Sequence, residues 1–151
     1  MSIRHRWLAA AACAATIHAW ADTPPPATAP AVAAPLAVAQ IDQPSLLARM
    51  ERQDPALLVL DVRSPDEFAA GHVPGARNIA HDALGERIGE LADARDRDIV
   101  VYCRSGRRSQ LALQTLRDAG FTRLQHLEGD FLAWQAANRP LEKAAVTPAP
   151  R

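Results

Sequence analysis

Two short runs of uninterrupted apolar residues, Leu57-Leu58-Val59-Leu60 and Ile99-Val100-Val101-Tyr102, limit what this chain can fold into more than any other feature. A strand with one wet face alternates apolar and polar residues, whereas a strand that is apolar at every position must be covered on both faces. Stretches of helical spacing supply the cover. Residues 44–52 place Pro44 in a first turn, and Asp82 can cap a helix in which Leu84, Ile88 and Leu91 share a face. Ser109 can open another helix, with Ala112, Leu116 and Ala119 on one side and Gly120 at its end. Residues 130–138 carry Phe131 and Trp134 on a last helix before Pro140, while residues 124–127 read as a third strand and 77–79 as a short one. Helices alternating with buried strands predict an α/β fold: a mostly parallel sheet with helices on both faces.

In sheets of that class the site lies at the carboxyl ends of the strands. The second apolar run ends in Cys103, followed by Arg104-Ser105-Gly106-Arg107-Arg108-Ser109. A thiol reacts as its thiolate, and a loop at a helix N-terminus offers unpaired backbone N–H groups and a positive dipole end to stabilise one. Arg104, Arg107 and Arg108 add local positive charge, and Gly106 lets the loop curl its amides toward a central anion. Cys103 therefore reads as a nucleophile in a small anion cradle formed with Arg104, Ser105, Gly106, Arg107 and Arg108. A buried core cysteine is the plainer reading, but three following arginines do not suit an apolar setting. Asp61 and Arg63, at the end of the other buried run, read as a local salt bridge or turn cap on the same rim. His72, in the turn-rich Gly71-His72-Val73-Pro74-Gly75-Ala76, reads as structural.

The ends of the chain differ in composition from its middle. Residues 1–21 have a basic start, an apolar alanine-rich run and Ala19-Trp20-Ala21 as a small-x-small cleavage site, so they read as a secretory signal peptide and predict a periplasmic or secreted protein. A lipoprotein reading at Cys13 is weaker, because Ala10 stands where a large aliphatic is usual. Residues 22–39 are rich in Pro and Ala and read as an extended linker, and 143–151 as a disordered tail. One domain is left, over residues 40–142. Lys plus Arg number 17 and Asp plus Glu 17, so no net field favours nucleic acid or, past the leader, a membrane. Of the two cysteines, cleavage after Ala21 would leave only Cys103: no internal disulfide, no resolving cysteine, and no cysteine-based zinc site. His72, His81 and His126 have no ligand spacing that would suggest a metal site.

Asp61-Val62-Arg63, Glu67-Phe68, the segment from Gly71 to Ala76 with Asn78-Ile79, the loop from Cys103 to Ser109, and Glu128-Gly129 leading to Trp134 together resemble the rhodanese (thiosulfate sulfurtransferase) family. The resemblance spans residues 40–142 with a single copy of each motif. It implies a rhodanese-like fold with a five-stranded, mostly parallel sheet, and a ping-pong reaction without a cofactor. In that reaction a Cys103 thiolate takes the outer sulfur of thiosulfate, or of a persulfide, and passes it to cyanide, a small thiol or a protein thiol. Tyrosine phosphatases, and the related cell-cycle phosphatases and arsenate reductases, place arginine sixth after the cysteine. Here Ser109 stands sixth and Arg108 fifth, the shorter loop that resembles sulfurtransferases. A persulfide carrier or regulatory binding module without turnover is the alternative from another class.

Overall fold

The computed structural model describes residues 38–143, so the expected signal peptide, nearly all of the linker and most of the tail lie outside the described residues. Five strands form one sheet, β1 (Ala39–Ile41), β2 (Leu57–Asp61), β3 (Arg77–Asn78), β4 (Asp98–Tyr102) and β5 (Leu124–Leu127). Their order is β1-β5-β4-β2-β3 and every pairing is parallel, so "mostly parallel" becomes parallel throughout. The two apolar runs are the central pair, in register from Leu57 opposite Asp98 to Asp61 opposite Tyr102.

Strand geometry sends alternate side chains to opposite faces, and here both faces are dry. Leu58, Leu60, Ile99, Val101 and Cys103 face one apolar cluster, completed by Ala112, Leu113 and Leu116 of α3 (Arg107–Asp118) and by Leu84 and Leu91. Leu57, Val59, Val100 and Tyr102 face the other, with Leu46 of α1 (Gln43–Glu51) and Phe131 and Trp134 of α4 (Asp130–Ala136). Continuous apolarity in the sequence thus becomes two separate cores with the sheet between them.

Four expectations need correction. The helix expected from Asp82 is instead a series of turns leading into a 3-10 helix over Ile88–Ala94. Gly85 and Gly89 interrupt its α-helical propensity, though Leu84 and Leu91 are still buried. Helix α3 begins at Arg107 with Gly106 as its N-cap, two residues before the expected start at Ser109, whose side chain bonds elsewhere. Strand β1 takes its first residue, Ala39, from the expected linker, pairing it with Gln125. Finally, α2 (Pro65–Ala70) has no counterpart in the sequence reading. It buries no residue and so has no apolar period to reveal it; a Ser64–Glu67 capping box and Pro65 hold it instead.

Candidate active site

The carboxyl ends of β2, β4 and β5 meet on one edge of the sheet, and each delivers part of the site. Strand β4 runs into Cys103, whose side chain is only 1% exposed beneath the loop that follows. At Gly106 the chain turns with φ +101°, a conformation open to glycine and strained for other residues, and its backbone N–H donates to Cys103 Sγ at 3.1 Å. Helix α3 starts at the next residue, so its positive dipole end faces the sulfur. The sulfur thus has one backbone donor, at the start of a helix, while the rest of the side chain packs in the apolar cluster rather than in the open setting expected from the three arginines.

The loop arginines have different roles. Arg104 is exposed and lines a cavity of about 270 Å³ beside the loop, whose wall includes Ala70, Phe131, Gln135 and Leu141. Ser105 and Arg107 are exposed. Arg108 is half-buried and makes two hydrogen bonds to Glu67 of α2, at 2.6 and 3.0 Å. Its pKa is raised, chiefly by Glu67, with a smaller contribution from attraction to Cys103, so its guanidinium lies within electrostatic reach of both groups. The capping box aims the Glu67 carboxylate, which also accepts from Ser64 N–H and Oγ, at 3.2 Å each.

Arg108 holds the Glu67 carboxyl at about 2, against an ordinary 4.5, and burial opposes it only in part. A carboxyl with a depressed folded-state pKa contributes stability that is present above about 4.5 and is lost as pH falls toward about 2. Because the pair is partly in water, its contribution is discounted to about 1 kcal/mol. Glu67→Gln is therefore expected to unfold at lower urea than the parent at pH 7, with the gap closing as the pH approaches 2. A gap that is constant across that range would remove the Glu67–Arg108 pair as its cause.

From β2 come Asp61 and Arg63, 0% and 3% exposed. Arg63 Nε lies 3.0 Å from each Asp61 oxygen and one terminal nitrogen is 2.6 Å from Oδ2. The same guanidinium donates to the Gly71 carbonyl at 2.8 Å and lies 3.8 Å above the Phe131 ring. The pair is the salt bridge expected from sequence, and Arg63 also forms part of the cavity wall. Asn78, which the sequence offers only as part of the family motif, donates to the backbone carbonyls of Asp61 and Arg63 at 2.9 and 3.0 Å and fixes this turn. His72 is structural: Nδ1 lies 2.8 Å from the Phe68 carbonyl and the ring stacks on Phe68.

Strand β5 leads through Gly129, at φ +72°, to Asp130, the main residue the sequence reading missed. Asp130 is buried. Its Oδ1 accepts the Cys103 backbone N–H and the Ser109 hydroxyl, each at 2.8 Å, and Oδ2 lies 3.0 Å from His126 Nε2. Burial alone would raise its pKa; the bonds from His126, Cys103 and Ser109 outweigh that and hold it below the ordinary value. The first amides of α4 complete the link, Phe131 N–H to the Cys103 carbonyl at 3.0 Å and Leu132 N–H to the Arg104 carbonyl at 3.1 Å. Among the described residues no cluster of three or more His, Cys, Asp or Glu side chains could hold a metal ion.

A cysteine whose sulfur accepts a backbone N–H at a helix start, on the carboxyl edge of a parallel α/β sheet, is the arrangement a nucleophilic-cysteine transfer site requires. Residues 42–137 match the rhodanese-like domain family model. The chain belongs to the rhodanese family, and the expected fold follows. A sulfurtransferase of Allochromatium vinosum is 38% identical over 104 residues, covering 69% of this chain and 94% of that protein. The thiosulfate sulfurtransferase GlpE of Shewanella oneidensis is 41% identical over 80 residues, covering 53% of this chain and 77% of GlpE. An uncharacterized protein of Synechocystis sp., slr1261, is 39% identical over 105 residues, and the chain spans only 57% of its length. Among solved structures, the rhodanese-like domain of the Anabaena sp. Alr3790 protein superposes with a TM-score of 0.62 at 35% identity, over 74% of this chain and 86% of that one. Sulfur transfer is the general chemistry these relatives support.

Proposed function

We propose that the protein is a thiosulfate-type sulfurtransferase that works through a Cys103 persulfide. The Cys103 thiolate attacks the outer sulfur of thiosulfate, the S–S bond breaks, and sulfite leaves with the bonding pair. The resulting persulfide anion then gives its terminal sulfur to an acceptor, a thiolate becoming a persulfide or cyanide becoming thiocyanate, and the Cys103 thiolate is restored. Atoms and charge balance in both halves with no oxidant, reductant or metal. The observation that carries this reading is the Gly106 N–H donating to Sγ at the start of α3, which offers stabilisation to thiolate and persulfide alike. Arg104, which lines the open cavity, would meet the sulfonate end of a donor.

Ser109 speaks against the phosphatase or arsenate reductase reading. The position where those enzymes carry their anion-binding arginine is occupied by a buried hydroxyl bonded to Asp130. Steady-state kinetics with thiosulfate against a small thiol is expected to give parallel double-reciprocal lines, the signature of a substituted-enzyme mechanism. Intersecting lines, or hydrolysis of an aryl phosphate faster than sulfur transfer, would overturn the proposal.

A further inference from the structure

We infer that Asp130 is a positioning residue for the reaction at Cys103: its buried carboxylate sets the position of the nucleophilic sulfur beneath the loop. The inference rests on the sulfur-transfer reading of Cys103. Asp130 has φ +52°, a conformation glycine takes freely and most side chains resist by about 1–2 kcal/mol. Aspartate takes it here and gains three hydrogen-bond partners, the Cys103 amide, the Ser109 hydroxyl and His126. The loop also approaches this carboxylate closely at Gly106, where an added Cβ would lie 3.1 Å from Asp130 Oδ2 and 3.7 Å from His126 Cε1. Asp130 therefore fixes the backbone of Cys103, the first turn of α3 through Ser109, and the approach of the Gly106 amide, which is the donor to Sγ.

The sign of its charge decides what kind of role this is. A carboxylate beside a thiolate opposes the thiolate, so Asp130 is no electrostatic activator. What Asp130 supplies is therefore geometry, through its contacts to the Cys103 amide, the Ser109 hydroxyl and His126 Nε2 at 3.0 Å. Reactions of positioned groups lose about 100-fold for a displacement near 1 Å, so a loop released from this anchor should be slow even with its cysteine and arginines intact.

Three variants of the full chain test this: Asp130→Gly, Asp130→Asn and Ser109→Ala. Glycine relieves the backbone conformation and removes every side-chain bond. If Asp130 merely filled a turn, the glycine variant would be as active as the parent and at least as stable. The inference expects kcat to fall about 10–100-fold with the KM for thiosulfate within about threefold, together with a rate of Cys103 alkylation by iodoacetamide, followed on its tryptic peptide, that departs from the parent's. Asparagine keeps an Oδ1 acceptor and tolerates a left-handed backbone, so it should return both readouts to within about fivefold of the parent. Ser109→Ala removes one bond without touching the backbone, and should lower kcat by about threefold or more even if the glycine variant does not fold. Parent kcat and alkylation rate in either the glycine or the alanine variant, or an asparagine variant as slow as the glycine one, would overturn the inference. A parent chain that takes no sulfur from thiosulfate would sink the donor reading alone, and the alkylation rates would still decide whether Asp130 anchors the loop.

Discussion

Cys103→Ser is expected to lower sulfur transfer by about a thousandfold or more while leaving the fold in place. The loss follows from chemistry: a serine hydroxyl at neutral pH is neither the nucleophile a thiolate is nor able to carry a sulfane sulfur. The retained fold follows from packing. Cys103 contributes one small side chain to a cluster dominated by leucine, isoleucine and valine, and a serine oxygen would still accept the Gly106 N–H. Near-parent activity in the serine variant, measured with thiosulfate and a thiol, would take Cys103 out of the mechanism. A circular dichroism spectrum showing gross unfolding would make the cysteine a packing residue first.

Arg63→Ala should produce the largest loss of stability at the rim of the site. Removing the arginine strands the Asp61 carboxylate, 0% exposed, without its counter-ion, and leaves the Gly71 carbonyl without this donor. Breaking one side of a buried pair costs about 3–5 kcal/mol, because the remaining charge cannot return to water. In a domain of about 100 residues that lowers the melting temperature by about 15 °C or more. Replacing both partners together, Asp61→Leu with Arg63→Met, should cost clearly less than Arg63→Ala alone, since no charge is then left buried. A loss under about 1 kcal/mol for Arg63→Ala would mean that water reaches Asp61 and that the pair does not support this edge of the sheet.

The parts of this molecule legible in its sequence are those set by local patterns. The runs Leu57-Leu58-Val59-Leu60 and Ile99-Val100-Val101-Tyr102 announce strands buried on both faces, and the structure divides their alternate residues between two cores. The turn from Cys103 into α3 is legible because cysteine, glycine and helix start lie within a few residues of one another. What could not be read has no local period or depends on distant partners. Strand β1 is three residues long, buries only Ile41 and pairs with β5 alone. Helix α2 buries nothing, yet it brings Glu67 to Arg108, 41 residues away. Asp130 meets Cys103 across 27 residues, and only a non-glycine residue at positive φ after Gly129 marks it. His126 lacks ligand spacing because its partner is that carboxylate.

The measurement that goes most directly to the central claim is the intact mass of the chain after incubation with thiosulfate, with released sulfite assayed in the same tube and Cys103→Ser alongside. The mechanism predicts one added sulfur atom on the parent chain, one sulfite for each adduct, and neither product from the serine variant. An adduct without matching sulfite, an equal adduct on the serine variant, or no adduct and no sulfite from the parent would contradict it.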